Sequence, residues 1–162
     1  MPLGEAAASL QEVLQAREDR AAKQRTLLDR FGRPLISFTM NIPGPIKDAP
    51  LVRFAFRAGL CRLREALGEP VYKEIVFLRA GPAALLVCDR PAAELKALCL
   101  AIEEEDEIGR LYDMDVIDAD GKKLSRSQER TCLLCGGPAG LCARSRAHGL
   151  PALEERTIEL LR

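Results

Sequence analysis

Apolar and polar residues follow two periods along the chain, and these periods separate predicted strands from predicted helices. Strand-like runs, alternating or continuously apolar, occupy four segments: 34–42, 71–79, 84–89 and 110–118. Helical spacing of apolar residues occupies four others: 9–31, 51–67, 90–105 and about 152–161. The central order is therefore β-α-β-β-α-β, between a leading and a closing helix.

Capping residues support the predicted helix ends. Ser9 can accept an N–H from the first turn while Glu12 reaches back, which is the capping-box pattern. Gly68 follows the second helix and is expected to end it, and Pro91 suits the first turn of the third. The first helix has a strongly charged middle, so we expect it on the surface.

The β-α-β-β-α-β order predicts an α+β fold of the ferredoxin-like class. In that fold an antiparallel sheet carries two helices on one face, and the fourth strand lies beside the first. The length of 162 residues suits one domain. We expect 1–162 to comprise the N-terminal helix 9–31, the core 34–118 and a Cys- and Arg-rich extension, 119–162, that ends in a helix.

The stretch "GRLYDMDVIDADG" places two carboxylates on one face of the fourth strand. Asp113 and Asp115 are two residues apart, so they point the same way, while the apolar residues between them point toward the helices. Ser37, Thr39 and Asn41 of the first strand are expected beside them, on the face that the N-terminal helix partly covers. Paired carboxylates on a rigid strand suit Mg²⁺ and phosphoryl or nucleotidyl transfer. Two solvated carboxylates on an open sheet face explain the pattern equally well.

Charge is balanced overall but divided along the chain. The chain has 24 Lys and Arg against 24 Asp and Glu, which argues against a protein that coats nucleic acid or anionic membranes. An acidic block at 101–120 precedes a basic block at 121–148, either as two solvated faces or as a site for a cation and a polyphosphate. The N-terminus carries Glu5 and lacks a targeting pattern, which predicts a cytoplasmic protein.

Two basic segments are candidate phosphate contacts. In "NIPGPIK", Asn41 could bind a phosphate or sugar and Lys47 could neutralise a phosphate. In "ARSRAH", the guanidinium groups of Arg144 and Arg146 could bind phosphate oxygens in a bidentate manner. A tight connecting loop and a solvated short helix are the alternatives.

The cysteines divide into a clustered and a dispersed group. Cys132, Cys135, Cys142 and His148 have the spacing C-x2-C-x6-C-x5-H, which can complete a tetrahedral structural zinc site or leave free thiols. The dispersed cysteines lie in apolar contexts and are predicted to be small core residues: Cys61, Cys88 and Cys99.

Three segments together resemble one enzyme family. "LISFTMNIPGPIK", "GRLYDMDVID" and "CLLCGGPAGLCARSRAH" are similar, in this order, to the signature segments of apo-citrate lyase phosphoribosyl-dephospho-CoA transferase, also called citrate lyase holo-acyl-carrier-protein synthase. "AREDRAAKQRTLL" also fits, so the resemblance spans residues 16–148. Tyr112 and Met114 conservatively replace the expected phenylalanine and isoleucine, and Gly149 stands where serine is expected.

The resemblance implies an activity, with its partners and site. The family joins 2'-(5''-triphosphoribosyl)-3'-dephospho-CoA to a serine of the citrate lyase acyl carrier subunit and releases pyrophosphate. It implies Mg²⁺ on Asp113 and Asp115, which are the predicted catalytic residues. The predicted substrate-binding residues are Asn41, Lys47, Arg110, Arg126, Arg144 and Arg146.

Other functions are also compatible with these residues. A related transferase serves malonate decarboxylase, so its carrier is another acceptor to consider. A non-catalytic zinc-knuckle docking module and a Mg²⁺-dependent phosphohydrolase also fit the residues.

Overall fold

The computed structural model describes residues 7–126 and 128–162, so Glu5 lies outside the described residues. The strands are β1 (Leu35–Met40), β2 (Tyr72–Leu78), β3 (Gly81–Val87) and β4 (Tyr112–Ile117). The helices are α1 (Leu10–Phe31), α2 (Pro50–Leu67), α3 (Ala92–Glu104), α4 (Ala139–Ser145) and α5 (Leu150–Leu161), with a 3₁₀ turn at Ile108–Leu111. In the described ranges, no helix is both long and apolar enough to cross a bilayer.

The four strands form one antiparallel sheet in the order β2-β3-β1-β4. β4 therefore lies beside β1, as the sequence predicts. Its register places Asp115 opposite Ser37 and Asp113 opposite Thr39, which confirms that the two aspartates share a face with the polar residues of β1. Directly opposed side chains in such a pair are close neighbours.

The other face of the sheet packs against α2 and α3 through an aromatic cluster. The rings of Phe38 and Phe56 stack with centroids 4.7 Å apart, and Tyr112 meets Phe38 edge-on at 5.3 Å. The Tyr112 hydroxyl donates to the carbonyl of Ala55 at 3.0 Å. At Gly59 a Cβ would come within 2.6 Å of the Phe38 ring, so glycine lets α2 pack closely on the sheet.

Helix α1 covers part of the aspartate face, as expected. Leu27 and Leu28 are buried in an apolar cluster with Leu35 and Ile117 of the sheet. Gln24 Nε2 donates to Ser37 Oγ at 3.0 Å, which satisfies this buried hydroxyl. The Ser9 capping box is present and starts the helix at Leu10.

Three local features differ from the sequence predictions. β3 begins at Gly81 rather than Ala84, since a tight two-residue turn joins it to β2. The first residues predicted for β4 form the 3₁₀ turn instead. The prediction that Cys61 is a core residue is wrong, because it lies on the exposed side of α2; Cys88 and Cys99 are buried as predicted.

Candidate functional site

A cleft of about 360 Å³ opens beside Asp113 on the face covered by α1. Its walls come from α1, the end of β1, the following loop and the β2–β3 hairpin. Asn41 and Lys47 of the "NIPGPIK" loop both line it, as do Arg17 and Arg20 of α1. The structure thus brings the predicted loop residues and one predicted catalytic carboxylate into a single cleft, here called the small cleft.

The two aspartates have different surroundings. Asp113 is 45% exposed, and its Oδ1 lies 3.8 Å from Arg130 Nη2. Asp115 is 29% exposed and forms a 3.1 Å ion pair with Lys123. Burial, and then repulsion from Asp115, raise the pKa of Asp113 despite the nearby Arg130. A bound cation would relieve this repulsion, so the pair fits a divalent metal with Asp113 as the ligand facing the cleft.

Lys47 is positioned by its own loop. Its ammonium donates to the carbonyl of Ile42, which directs the side chain across the loop. Burial, and then the charge of Arg17, lower the pKa of Lys47. An anion in the small cleft would offset both effects.

A second cleft of about 1080 Å³, here called the large cleft, lies between the core and the C-terminal extension. Asn41 lines this cleft as well as the small one, so both cavities reach the residue that follows β1. The other predicted site residues in its walls are Arg110, Arg126, Cys132, Cys142, Arg146 and His148. Arg144 lines neither cleft, although it lies only two residues from Arg146.

Two predicted substrate contacts, Arg110 and Arg126, already bind protein groups. Arg110 Nη2 donates to the carbonyls of Thr131 and Cys132, at 2.9 and 2.8 Å. Arg126 Nη2 forms a 2.7 Å ion pair with the buried Glu103. Both arginines therefore attach the extension to the core at the wall of the large cleft. The buried Nε of Arg126 has no hydrogen-bond partner among the described residues.

The predicted ligand cluster is assembled in space. One ligand atom from each of Cys132, Cys135, Cys142 and His148 lies within 4.8 Å of every other. The sulfurs of Cys135 and Cys142 are 3.5 Å apart. The buried Nε2 of His148 has no hydrogen-bond partner among the described residues, as expected for a ligand atom. The four side chains could hold a metal ion, and thiolate and imidazole ligands favour zinc.

The backbone supports this cluster. Leu134 directs its N–H to Cys132 Sγ at 3.5 Å. Backbone N–H groups of Cys135 and Leu134 lower the pKa of Cys132 to about 6, which favours the thiolate that a metal requires. Gly136 has a φ of 74°, a left-handed conformation that glycine adopts without strain, so the turn after the cysteine pair can close.

Comparison with known proteins identifies the family. The family model described as apo-citrate lyase phosphoribosyl-dephospho-CoA transferase matches residues 8–162. The chain belongs to this family. Relatives with that name from Escherichia coli O139:H28 (strain E24377A / ETEC) and O8 (strain IAI1) and from Shigella boydii serotype 18 are each 37% identical over 163 residues. Each alignment covers 96% of this chain and 89% of the relative.

The transferase family assignment confirms the resemblance drawn from the sequence, while the structure adds residues that the sequence analysis missed. Glu103, Arg130 and Arg20 were not among the predicted site residues. Glu103 is 4% exposed and pairs with Arg130 at 3.1 Å as well as with Arg126. Helical spacing indicates that Glu103 is buried, because it follows the buried Lys96 by seven residues and the buried Cys99 by four.

Proposed function

We propose that this chain transfers the phosphoribosyl-dephospho-CoA group of its triphosphate precursor to a serine of the citrate lyase acyl carrier subunit. The serine oxygen forms a new bond to the α-phosphorus, and the bond from that phosphorus to the oxygen bridging the β-phosphorus breaks. Pyrophosphate leaves with the electron pair, and the hydroxyl proton passes to a base or to solvent. The family of the chain supports this reaction, and the observation that carries its placement is the small cleft shared by Asp113, Asn41 and Lys47.

Asp113 and Asp115 are the proposed Mg²⁺ ligands. Their shared face and the raised pKa of Asp113 support a cation at this position. Mg²⁺ held at this position would neutralise charge on the triphosphate. For Asp115 to take part, its carboxylate must exchange Lys123 for the ion. Asp113 is held less closely, because its ion pair with Arg130 is longer, at 3.8 Å.

The precursor is proposed to extend across both clefts. Asn41 lines both, which supports a single ligand that runs past the end of β1 from one cleft to the other. The triphosphate would lie in the small cleft near Lys47, and the dephospho-CoA portion, which has a diphosphate of its own, in the large cleft near Arg146. The large cleft has a volume suited to such a ligand. Arg144, Arg110 and Arg126 remain proposed contacts of the same anionic ligand.

The Cys/His cluster is proposed to bind a structural zinc ion. Four protein ligands leave no open position of the kind that a catalytic zinc requires. The ion would fix the extension that walls the large cleft. Its thiolates need a reducing compartment, which supports a cytoplasmic location.

The architecture is proposed to be a single ferredoxin-like transferase domain. The observed strand order and the two helices between strands support this class. The N-terminal helix and the Cys- and Arg-rich extension would then supply the walls of the two clefts.

Mass spectrometry of the apo-carrier after incubation with enzyme, precursor and Mg²⁺ tests the function. We expect the carrier to gain the mass of the prosthetic group and an equal amount of pyrophosphate to appear. A phosphohydrolase would consume the precursor without the carrier, and a docking module would leave it intact. Parallel reactions with the citrate lyase and malonate decarboxylase carriers would establish acceptor specificity.

A further inference from the structure

Two arginines of α1 line the small cleft without close protein partners. Arg17 and Arg20 are three residues apart, so they lie on one side of the helix. Arg20 is half-buried, and neither guanidinium makes a hydrogen bond or close ion pair with the residues that the structure describes. Lys23, one turn further along, differs because it pairs with Glu74 at 3.3 Å. A half-buried guanidinium without a partner loses hydration without compensation, which indicates a binding group rather than a structural one.

The positive charges in this cleft repel one another. Burial, followed by the charge of Arg17, lowers the pKa of both Arg20 and Lys47. Asp113 opposes this effect at Arg20, and its side chain lines the same cleft as the three cations. The lining of this cavity of about 360 Å³ also includes Asp19, Glu74 and Asp113, so the three cations lie among carboxylates, an arrangement suited to a phosphate group that carries Mg²⁺.

We propose that Arg17, Arg20 and Lys47 form a cradle for the outer two phosphates of the triphosphate, which leave as pyrophosphate. This proposal rests on the proposed transfer reaction. Guanidinium forks bind phosphate oxygens in a bidentate manner, whereas the Lys47 ammonium acts as a compact charge. The β- and γ-phosphates would lie against α1, and the α-phosphorus would remain beside Asp113, exposed to the incoming serine. The arginines would then stabilise charge that develops on the leaving group.

Calorimetric titration with inorganic tripolyphosphate and Mg²⁺ tests the cradle without the full precursor. We expect Arg17→Gln and Arg20→Gln each to weaken binding by about tenfold to a hundredfold, the range for charge-assisted hydrogen bonds. Arg20→Lys should recover part of the loss, since it restores the charge but not the fork. Arg25→Gln is the matched control, because it removes the same charge from an exposed position on the same helix that lines neither cleft.

The outcomes separate the cradle from the transfer reaction. Normal tripolyphosphate affinity in both variants, an equal loss in Arg25→Gln, or no binding by the unmodified protein would each overturn the cradle. If carrier modification still occurs in any of these cases, the proposed function stands. Conversely, Arg17→Gln and Arg20→Gln could lose tripolyphosphate binding while the unmodified protein never modifies the carrier. That result would support the cradle as a polyphosphate site and refute the transfer. Circular dichroism confirms that each variant is folded.

Discussion

The buried carboxylate of Glu103 accepts a hydrogen bond of 2.8 Å from the backbone N–H of Met114. Met114 lies between the two aspartates of β4, so this bond fixes the strand at the centre of the candidate site. The same carboxylate pairs with Arg126 at 2.7 Å and Arg130 at 3.1 Å. Glu103 therefore joins α3, β4 and the extension at one point, and it positions the site without facing the small cleft.

Replacement of Glu103 separates its hydrogen-bonding role from its charge. Glu103→Ala should lower the free energy of unfolding by about 3 kcal/mol, because it leaves the buried Met114 N–H without its acceptor and removes the buried carboxylate that Arg126 and Arg130 share. Glu103→Gln keeps an acceptor for Met114 and should cost about 1 kcal/mol or less. Urea unfolding of both variants measures the difference. Equal losses in the two variants would contradict the hydrogen-bonding role and assign the effect to charge.

The pH dependence of stability provides a second test at Glu103. Burial raises the pKa of this carboxyl, and the opposing effects of Arg130 and the Met114 N–H do not reverse the shift. The folded chain then holds the proton more tightly than the unfolded chain. The stabilising contribution is present below the ordinary carboxyl pKa and is lost as pH rises through the raised value. Stability of the unmodified protein minus that of Glu103→Gln should therefore fall as pH rises above the ordinary value of 4.5. A difference that grows with pH would show that the ion pairs dominate.

The Cys/His cluster should contain about one zinc ion per chain. Elemental analysis of protein purified without chelator measures it. Cys135→Ser should abolish stoichiometric zinc and loosen the extension, because the remaining ligands cannot complete the tetrahedral shell. Cys61→Ser is the matched control, since it removes an exposed thiol outside the cluster. Well-folded, fully reduced protein without zinc would identify the cluster as free thiols.

The sequence predicts the sheet well because its signals are local. Alternation in β4 and the capping box at Ser9 are readable from neighbouring residues, and both are confirmed. The turn before β3 and the 3₁₀ turn before β4 are less readable, since tertiary packing decides where a strand begins. The ligand cluster is also predictable, because its four members lie within 17 residues and have a zinc-like spacing.

The clefts could not be predicted in the same way. Glu103 belongs to a run of acidic residues that resembles a solvated face, and only its place on the buried stripe of α3 distinguishes it. Arg20 belongs to a strongly charged helix, where nothing local separates an arginine over a cleft from an exposed neighbour such as Arg25. Long-range contacts select these residues, and a single sequence records them only weakly.

Arg144, in α4, and Arg146, directly after its end, should differ in their effect on precursor binding. Arg146→Gln should weaken affinity by about 1.5–3 kcal/mol, the range for a charge-assisted hydrogen bond, because Arg146 lines the large cleft. Arg144→Gln should weaken it less, since Arg144 lines neither cleft. Equilibrium binding of the precursor to both variants compares two arginines only two residues apart. Equal and unchanged affinities would remove both arginines from the phosphate contacts.

Asp113→Asn and Asp115→Asn test the proposed Mg²⁺ site most directly. Each change keeps nearly the same size and removes one charge, so each should reduce the transfer rate at least about a hundredfold, as for a lost electrostatic contact to the transition state. Apparent Mg²⁺ affinity should weaken in parallel. Single-turnover transfer to the apo-carrier across a Mg²⁺ titration measures both quantities.

Folding separates this catalytic role from a structural one. Asp113→Asn should leave stability unchanged or slightly higher, because it relieves the repulsion from Asp115. Asp115→Asn also loses the ion pair with Lys123, which should cost no more than about 1 kcal/mol at this partly exposed position. Asp29→Asn, at an exposed carboxylate on α1, is the matched control and should transfer at the normal rate. Near-normal transfer rates in both aspartate variants would show that Asp113 and Asp115 are solvated carboxylates on a partly open sheet face. A loss of rate that accompanies unfolding would show that their role is structural.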